Sequence, residues 1–135
     1  MAARPINWDE GKVILVPATT AIAFTKGDMC VYTSGYLDEA ADGGGVPIRF
    51  VAAETVTTTS NGQLVKCWPT EGVLYEVDCD GVWSVVDQGT LCDVATEATL
   101  NPDASADDLF FIVKGVGTAE TDTKVIGYFS QANET

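Results

Sequence analysis

Residues 73–80, with the sequence VLYEVDCD, alternate between two kinds of side chain. The odd-numbered positions are apolar, and three of the four even-numbered positions are acidic. This period of two is typical of a β-strand that buries one face and exposes the other to water. Residues 65–68 form a second strand candidate, and the turn residues of 69–72 lie between the two. We therefore expect residues 65–68 and 73–80 to form a hairpin.

The rest of the chain consists of short strand candidates separated by Gly, Pro, Asp, Asn or Ser. Many short strands with turn signals at roughly ten-residue spacing are typical of all-β folds. We expect a small β-barrel or sandwich of short antiparallel strands with at most one short helix. The helix is predicted over residues 102–109, because Asn101 is a good N-cap and Pro102 suits the first helical position. The remaining strand candidates are residues 12–16, 20–24, 29–33, 36–39, 48–53, 82–86, 90–94, 110–116 and 124–129.

The length of 135 residues is sufficient for one domain with an ordinary apolar core. Residues 1–11 lack periodicity and predict an extended N-terminal arm. Residues 12–130 predict a single β-barrel domain, and residues 131–135 predict a C-terminal tail. Within the domain, residues 29–33 and 36–39 are expected to pair as a hairpin. Residues 42–45 predict a flexible loop, and residues 56–62 predict a hairpin tip or an exposed loop.

The charge balance is strongly acidic, with 20 Asp and Glu against 7 Lys and Arg and a net charge of −13. This charge argues against binding to nucleic acid or to anionic membranes, which both favour clustered basic residues. No apolar run approaches the ~20 residues that a membrane-spanning helix needs. The N-terminus has no apolar segment of a secretory signal, so synthesis in a cytoplasm is expected.

The chain has no histidine, which removes the commonest general acid–base residue and every catalytic triad that depends on it. Its four cysteines lack zinc-site spacing and are expected to be reduced, buried apolar residues. They are Cys30, Cys67, Cys79 and Cys92. Neither a phosphate-binding loop nor a calcium loop is complete. We therefore predict a protein that is not an enzyme and that has no cofactor or metal site.

Several short motifs occur in an order that resembles the small β-barrel decoration, or cement, proteins of tailed bacteriophages. The motifs are KGD at 26–28, SGYL at 34–37, FVAAE at 50–54, GVLYEV at 72–77, DQGT at 87–90 and GYF at 127–129. The resemblance spans residues 12–130. It implies a non-enzymatic protein that binds the outside of the expanded head and stabilises the shell.

The resemblance also implies partners and a location. The major capsid protein is the expected partner, and self-association as a homodimer or homotrimer is a further expectation. The expected location is the virion, on the outer capsid surface, after synthesis in the cytoplasm of the bacterial host. Terminal arms often make the capsid contacts in such proteins, so the contact residues are expected in the N-terminal arm. These residues are Arg4, Pro5, Ile6, Asn7 and Trp8.

Three alternatives stay open at this point. Trp8 either plugs an open end of the barrel or inserts into a partner as an interface anchor. A carbohydrate-binding or adhesin-type β-module would use exposed aromatic rings, such as those of Trp68 and Trp83, to stack on sugars. A small β-barrel enzyme would need a close pair of buried carboxyl groups in a cleft, and a fully packed barrel interior would argue against it.

Overall fold

The computed structural model describes residues 1–41 and 45–131. These residues form thirteen β-strands and one 3-10 helix, Val85–Asp87, so the predicted all-β fold class is confirmed. The strands are β1 (Ala3–Pro5), β2 (Ile14–Ala18), β3 (Ala23–Phe24), β4 (Met29–Thr33), β5 (Tyr36–Glu39), β6 (Phe50–Ala52), β7 (Val56–Thr57), β8 (Gln63–Pro69), β9 (Leu74–Asp78), β10 (Leu91–Thr96), β11 (Thr99–Asn101), β12 (Phe110–Val116) and β13 (Lys124–Phe129).

Five strands close into a barrel in the order β2-β5-β4-β6-β8. β2 and β5 are parallel, with Ala18 opposite Leu37, and the other neighbours are antiparallel. Apolar side chains from the barrel strands, together with Phe24 of β3, form the interior, because inward-facing positions alternate along each strand. The buried residues of this interior are Val16, Ala18, Phe24, Cys30, Leu37, Ala52, Val65 and Cys67.

A six-stranded antiparallel sheet packs against the barrel, in the order β1-β9-β13-β12-β10-β11. The main apolar core lies between the two layers. Met29, Val51 and Trp68 enter this core from barrel strands whose neighbouring residues point into the barrel. At these residues β4, β6 and β8 are therefore buried on both faces, whereas other positions, such as Thr33 of β4 and Lys66 of β8, are exposed. The six-stranded sheet contributes, among others, Tyr75, Val77, Phe110, Ile112, Val125 and Phe129.

The hairpin expected from residues 65–68 and 73–80 is wrong. β8 pairs with β2 and β6 in the barrel, whereas β9 pairs with β1 and β13 in the other sheet. The segment between them carries the chain from one layer to the other. Thr70 anchors this crossing by donating its hydroxyl to the carbonyl of Ile48 at 2.6 Å. β8 suits a place between two layers because it has apolar residues on both faces.

β4 and β5 form the expected hairpin, with Cys30 opposite Glu39. Its turn residues Ser34 and Gly35 have φ values of 50° and 83°. Positive φ at both central positions is typical of the two-residue turns that match the right-handed twist of paired strands.

Residues 82–86 do not form the predicted strand. The Asp87 carboxylate accepts a hydrogen bond from the backbone N–H of Ser84 at 2.7 Å, and Asp87 N–H donates to the Ser84 carbonyl at 2.9 Å. This reciprocal pair closes a tight turn, so residues 85–87 become the 3-10 helix. The helix lies beside β12, where Gly89 N–H donates to the carbonyl of Ile112 at 2.7 Å.

Residues 102–109 do not form the predicted helix. The buried carboxylate of Asp93, on β10, accepts hydrogen bonds from the backbone N–H groups of Ala106, Asp107 and Asp108 at 2.9, 2.8 and 3.0 Å. The side chain of Asn101 accepts from the N–H of Asp103, which makes a local turn rather than a helix cap. The segment is therefore a loop held to β10 by one carboxylate.

The N-terminal segment is extended and forms the edge of the six-stranded sheet. β1 pairs with β9, with Ala3 opposite Val77 and Pro5 opposite Tyr75, and both β1 residues are buried. Loop residues 42–44 and tail residues 132–135 lie outside the described residues.

Candidate interaction surface

The five predicted contact residues differ in burial, with alternation along β1 separating Arg4 from Pro5. Arg4, Ile6 and Asn7 are exposed, whereas Pro5 is buried and Trp8 is half-buried against the main core. The Trp8 indole donates to the carbonyl of Lys12 at 2.8 Å. This packing favours the interpretation of Trp8 as a plug over its own domain.

β1 has little capacity to add a strand to another protein. The N–H of Ala3 donates to the carbonyl of Gly27 at 3.0 Å on the side away from β9. Pro5 has no N–H, and proline in an edge strand limits further pairing. Glycine is the only residue type that fits at position 27, because an added Cβ would lie 2.6 Å from the Met1 side chain and 2.8 Å from Ala2 N. A contact through β1 therefore depends on its exposed side chains.

An apolar row crosses the outer face of the six-stranded sheet. The strand register places Leu91 opposite Phe111, Phe111 opposite Tyr128, and Tyr128 opposite Leu74. The row ends at Ile6, whose N–H donates to the carbonyl of Leu74 at 2.8 Å. Four of these five side chains are at least one-third exposed. A contiguous exposed apolar surface of this kind marks an interaction site more often than isolated apolar residues do.

Beside the apolar row, the next two sets of cross-strand neighbours on the same face carry charges of both signs. Arg4 pairs with Glu76 at 3.3 Å, and Lys124 pairs with Asp78 across β13 and β9. Lys114 lies opposite Ile126 and is exposed. Three of the seven basic residues of the chain are therefore on this one face.

The four cysteines are free and buried, as expected. Burial raises the pKa of the Cys67 thiol and of the Cys79 thiol to about 12, and it also raises the pKa of Cys30 and Cys92. A thiol of raised pKa stays protonated at neutral pH and is a poor nucleophile. Within residues 1–41 and 45–131, no three His, Cys, Asp or Glu side chains are grouped to hold a metal ion.

One carboxyl pair does come together, and the sequence gives no local sign of it. Asp28 is buried, accepts a hydrogen bond from the N–H of Thr25 at 2.8 Å, and hydrogen-bonds to Glu39. Burial raises the pKa of Glu39 to about 7, with Asp28 and Glu97 adding repulsion. Glu39 also borders a cavity of about 230 Å³ beside β4 and β5. The barrel interior itself is packed with apolar side chains, so the pair is not inside it.

The aromatic rings proposed for sugar binding are not available to a ligand. Trp68 is 1% exposed and Trp83 is 5% exposed, and their indole N–H groups donate to the carbonyls of Glu10 and Val116, each at 3.0 Å. A different pocket of about 460 Å³ is lined by aromatic and polar side chains. Its lining is Tyr32, Arg49, Phe50, Pro69, Thr70, Glu71 and Gln131.

The described residues include no helix that is long and apolar enough to cross a membrane. No protein-family model matches the chain, and no curated protein matches it. Among solved structures, the fold is similar to the head fiber gp8.5 N base in bacteriophage phi29, with a TM-score of 0.52 at 16% sequence identity. The match covers 88% of this chain and 95% of that chain, so the two share a fold over nearly their whole lengths.

Proposed function

We propose that this protein is a structural component of a tailed-bacteriophage head, a decoration or cement protein that binds the outer surface of the shell and stabilises its expanded form. The observation that carries the proposal is the fold similarity to a phage head fiber base over 88% of this chain. The order of the sequence motifs supports the same role independently. The role is non-enzymatic, in keeping with a chain that lacks histidine and buries its thiols.

In this proposal the major capsid protein is the partner, and the β1 edge of the six-stranded sheet makes the contact. Arg4, Ile6 and Asn7 supply the exposed side chains there. Pro5 and Trp8 pack against their own domain, and this packing holds the segment that carries the exposed side chains in place. Repetition on a symmetric lattice multiplies a contact of modest size, since bound copies share one shell.

The test is binding of the purified full chain to expanded heads that lack it, followed by sedimentation of the heads and electron microscopy. The expected result is saturable binding at defined lattice positions and heads that resist a higher temperature before breaking. Heads that neither bind the protein nor gain heat resistance would overturn the proposal.

A matched pair of variants locates the contact. Arg4→Glu combined with Ile6→Asp is expected to weaken head binding by at least about tenfold, because it places charge in an interface core. Lys66→Glu combined with Leu64→Asp makes the same changes on exposed positions of barrel strand β8 and is expected to bind normally. Equal loss in both variants would exclude the β1 edge as the contact.

A carbohydrate-binding module is the second candidate, and the pocket at Tyr32 is the one observation that favours it. The Tyr32 and Phe50 rings meet edge to face at 5.8 Å, with Arg49 and Glu71 beside them. Aromatic and polar groups together suit a saccharide. Specific binding on a glycan array that is lost in Tyr32→Ala would support this function, and an array without signal would remove it.

A further inference from the structure

Asn61 and Gly62 form the only Asn-Gly pair in the sequence, and they lie in the turn that leads into β8. The N–H of Gln63 donates to the carbonyl of Ser60 at 3.3 Å, and Gly62 has a φ of 87°. Glycine with a positive φ at the third position is typical of a type II turn. Asn-Gly is also the dipeptide that deamidates most readily, because glycine leaves its own nitrogen sterically open to attack the asparagine side chain.

Deamidation of this pair needs only the chain itself and water. The Gly62 nitrogen bonds to Cγ of Asn61, and the side-chain nitrogen leaves as ammonia with the proton that Gly62 gives up. Water then opens the cyclic imide at either of its carbonyl carbons. One product is aspartate. The other is isoaspartate, in which the backbone runs through the side chain and is longer by a single carbon atom.

Both reacting groups are held by hydrogen bonds in the folded chain. The N–H of Gly62 donates to the carbonyl of Ala18 at 2.9 Å, at the end of the β2–β8 pairing. The side-chain oxygen of Asn61 accepts a hydrogen bond from the N–H of Thr20 at 3.0 Å. Ring closure requires the Gly62 nitrogen to lose its proton and to move onto Asn61, so the bond to Ala18 must break first. The reaction is therefore blocked until the turn opens.

Thr58 holds the facing turn in place from a buried position. Thr58 is 2% exposed, and its hydroxyl donates to the carbonyl of Thr19 at 2.6 Å and accepts from the N–H of Ile22 at 3.0 Å. Its backbone N–H and carbonyl bond to Ile22 and Ala21. Ala21 has a φ of 62°, which is unfavourable for a residue with a side chain. Loss of the Thr58 hydroxyl should therefore release this strained turn.

We propose that Asn61–Gly62 is a deamidation site that is closed in the native fold and becomes reactive when the contact between residues 19–22 and 58–62 opens. We call this contact the turn clamp. Both of its segments lie between strands, so the clamp can open while the two sheets stay intact. Isoaspartate lengthens the turn, so the Gly62 N–H can no longer meet Ala18 in the native register. The inference does not rest on the head-binding role, because it concerns the free protein.

The experiment follows deamidation of the purified full chain at mildly alkaline pH, with and without enough urea to unfold it. Trypsin cleavage after Arg49 and Lys66 releases residues 50–66 as one peptide, and chromatography with mass spectrometry separates its asparagine, aspartate and isoaspartate forms. The folded chain is expected to react at least about tenfold more slowly than the unfolded chain, which corresponds to an opening free energy of at least about 1.4 kcal/mol. Equal rates in the two states would overturn the inference.

Matched variants test the clamp itself. Thr58→Val removes the buried hydroxyl with little change in shape, and it is expected to raise the rate in the folded chain by about fivefold. Thr57→Val makes the same change at an exposed neighbour and is expected to leave the rate unchanged, whereas Thr58→Ser keeps the hydroxyl and the slow rate. No acceleration in Thr58→Val, or equal acceleration in Thr57→Val, would count against the turn clamp.

Hydrogen exchange separates opening of the clamp from unfolding of the domain. In Thr58→Val the Gly62 N–H is expected to lose protection while the N–H groups of β13 keep theirs, and equal loss at both places would contradict a local opening. If Thr58→Val does not fold, the wild type alone decides. Its Gly62 N–H should then be protected by about the same factor as the one by which folding slows deamidation, and an unprotected N–H would refute the proposal.

Discussion

The carboxyl groups of Asp28 and Glu39 hydrogen-bond to each other next to the β4–β5 hairpin, and this contact requires a proton. Asp28 ends the turn that begins at Thr25, and Glu39 lies opposite Cys30 on the neighbouring strand. Asp38 and Glu97 add negative charge nearby. The pair therefore links the protonation of one site to the stability of the barrel.

Glu39→Gln is expected to change how stability depends on pH. The pKa of Glu39 is raised from 4.5 to about 7 in the folded protein, so the folded state holds the proton more tightly than the unfolded state. Its contribution to stability is complete below pH 4.5 and is lost as the pH rises through about 7. The glutamine variant stays neutral, so urea unfolding should show a smaller decline over this range. Glu71→Gln, at an exposed position, corrects for the change in overall charge, and an equal effect there would contradict the prediction.

Gly115→Ala is expected to lower the free energy of unfolding by about 2 kcal/mol, because overpacking a tight site typically costs 1–3 kcal/mol. A Cβ at Gly115 would lie 2.0 Å from the ring of Trp83. The Trp83 ring has no easy place to move, since its N–H is bonded to the carbonyl of Val116. Gly81→Ala is the control, because a Cβ there meets nothing within 4 Å. Chemical denaturation measures the free energy of unfolding of both variants. Similar free energies for the two would contradict the predicted clash with the Trp83 ring.

Asp93→Ala is expected to lower the free energy of unfolding by about 3 kcal/mol, because it removes a buried carboxylate and leaves three backbone N–H groups without their acceptor. The loop from Ala104 to Asp108 should also become accessible to proteases. Asp103→Ala removes a carboxylate from the same loop at an exposed position and should change stability little. Hydrogen exchange at residues 106–108 measures the effect directly, and unchanged protection in Asp93→Ala would refute it.

Deletion of residues 1–6 is expected to destabilise the protein by more than about 3 kcal/mol, through lost strand hydrogen bonds and lost apolar burial. The deletion removes buried Ala3 and Pro5 and leaves the edge of β9 unpaired. Thermal unfolding of the shortened chain provides the measurement. A chain of unchanged stability would mean that the segment behaves as a free arm. Arg4→Ala serves as the control, since its surface ion pair with Glu76 is expected to contribute less than about 1 kcal/mol.

The strands predicted best are those with clear alternation and strong turn residues beside them. The bounds of β4, β5, β12 and β13 agree with the segments 29–33, 36–39, 110–116 and 124–129. The errors at 82–86 and 102–109 have one physical cause. In both places a carboxylate, from Asp87 or Asp93, takes backbone N–H groups that local propensity would assign to regular structure.

The candidate surface was predictable only in part. The sequence predicts an extended N-terminal arm, but it does not show that Arg4, Ile6 and Asn7 are exposed whereas Pro5 is buried and Trp8 is half-buried. The apolar row combines residues 6, 74, 91, 111 and 128, which only the strand order brings together. Sequence periodicity shows which face of a strand is apolar, but it does not show which strands are neighbours.

The burial of part of β4, β6 and β8 on both faces has a consequence for how the molecule unfolds. Removing the sheet would expose Met29, Val51 and Trp68, and removing the barrel would expose the opposite side of the same core. Neither layer can open alone at low cost, so the described chain is expected to unfold in a single cooperative transition. Each described strand is then protected from local opening by the free energy of unfolding of the whole domain.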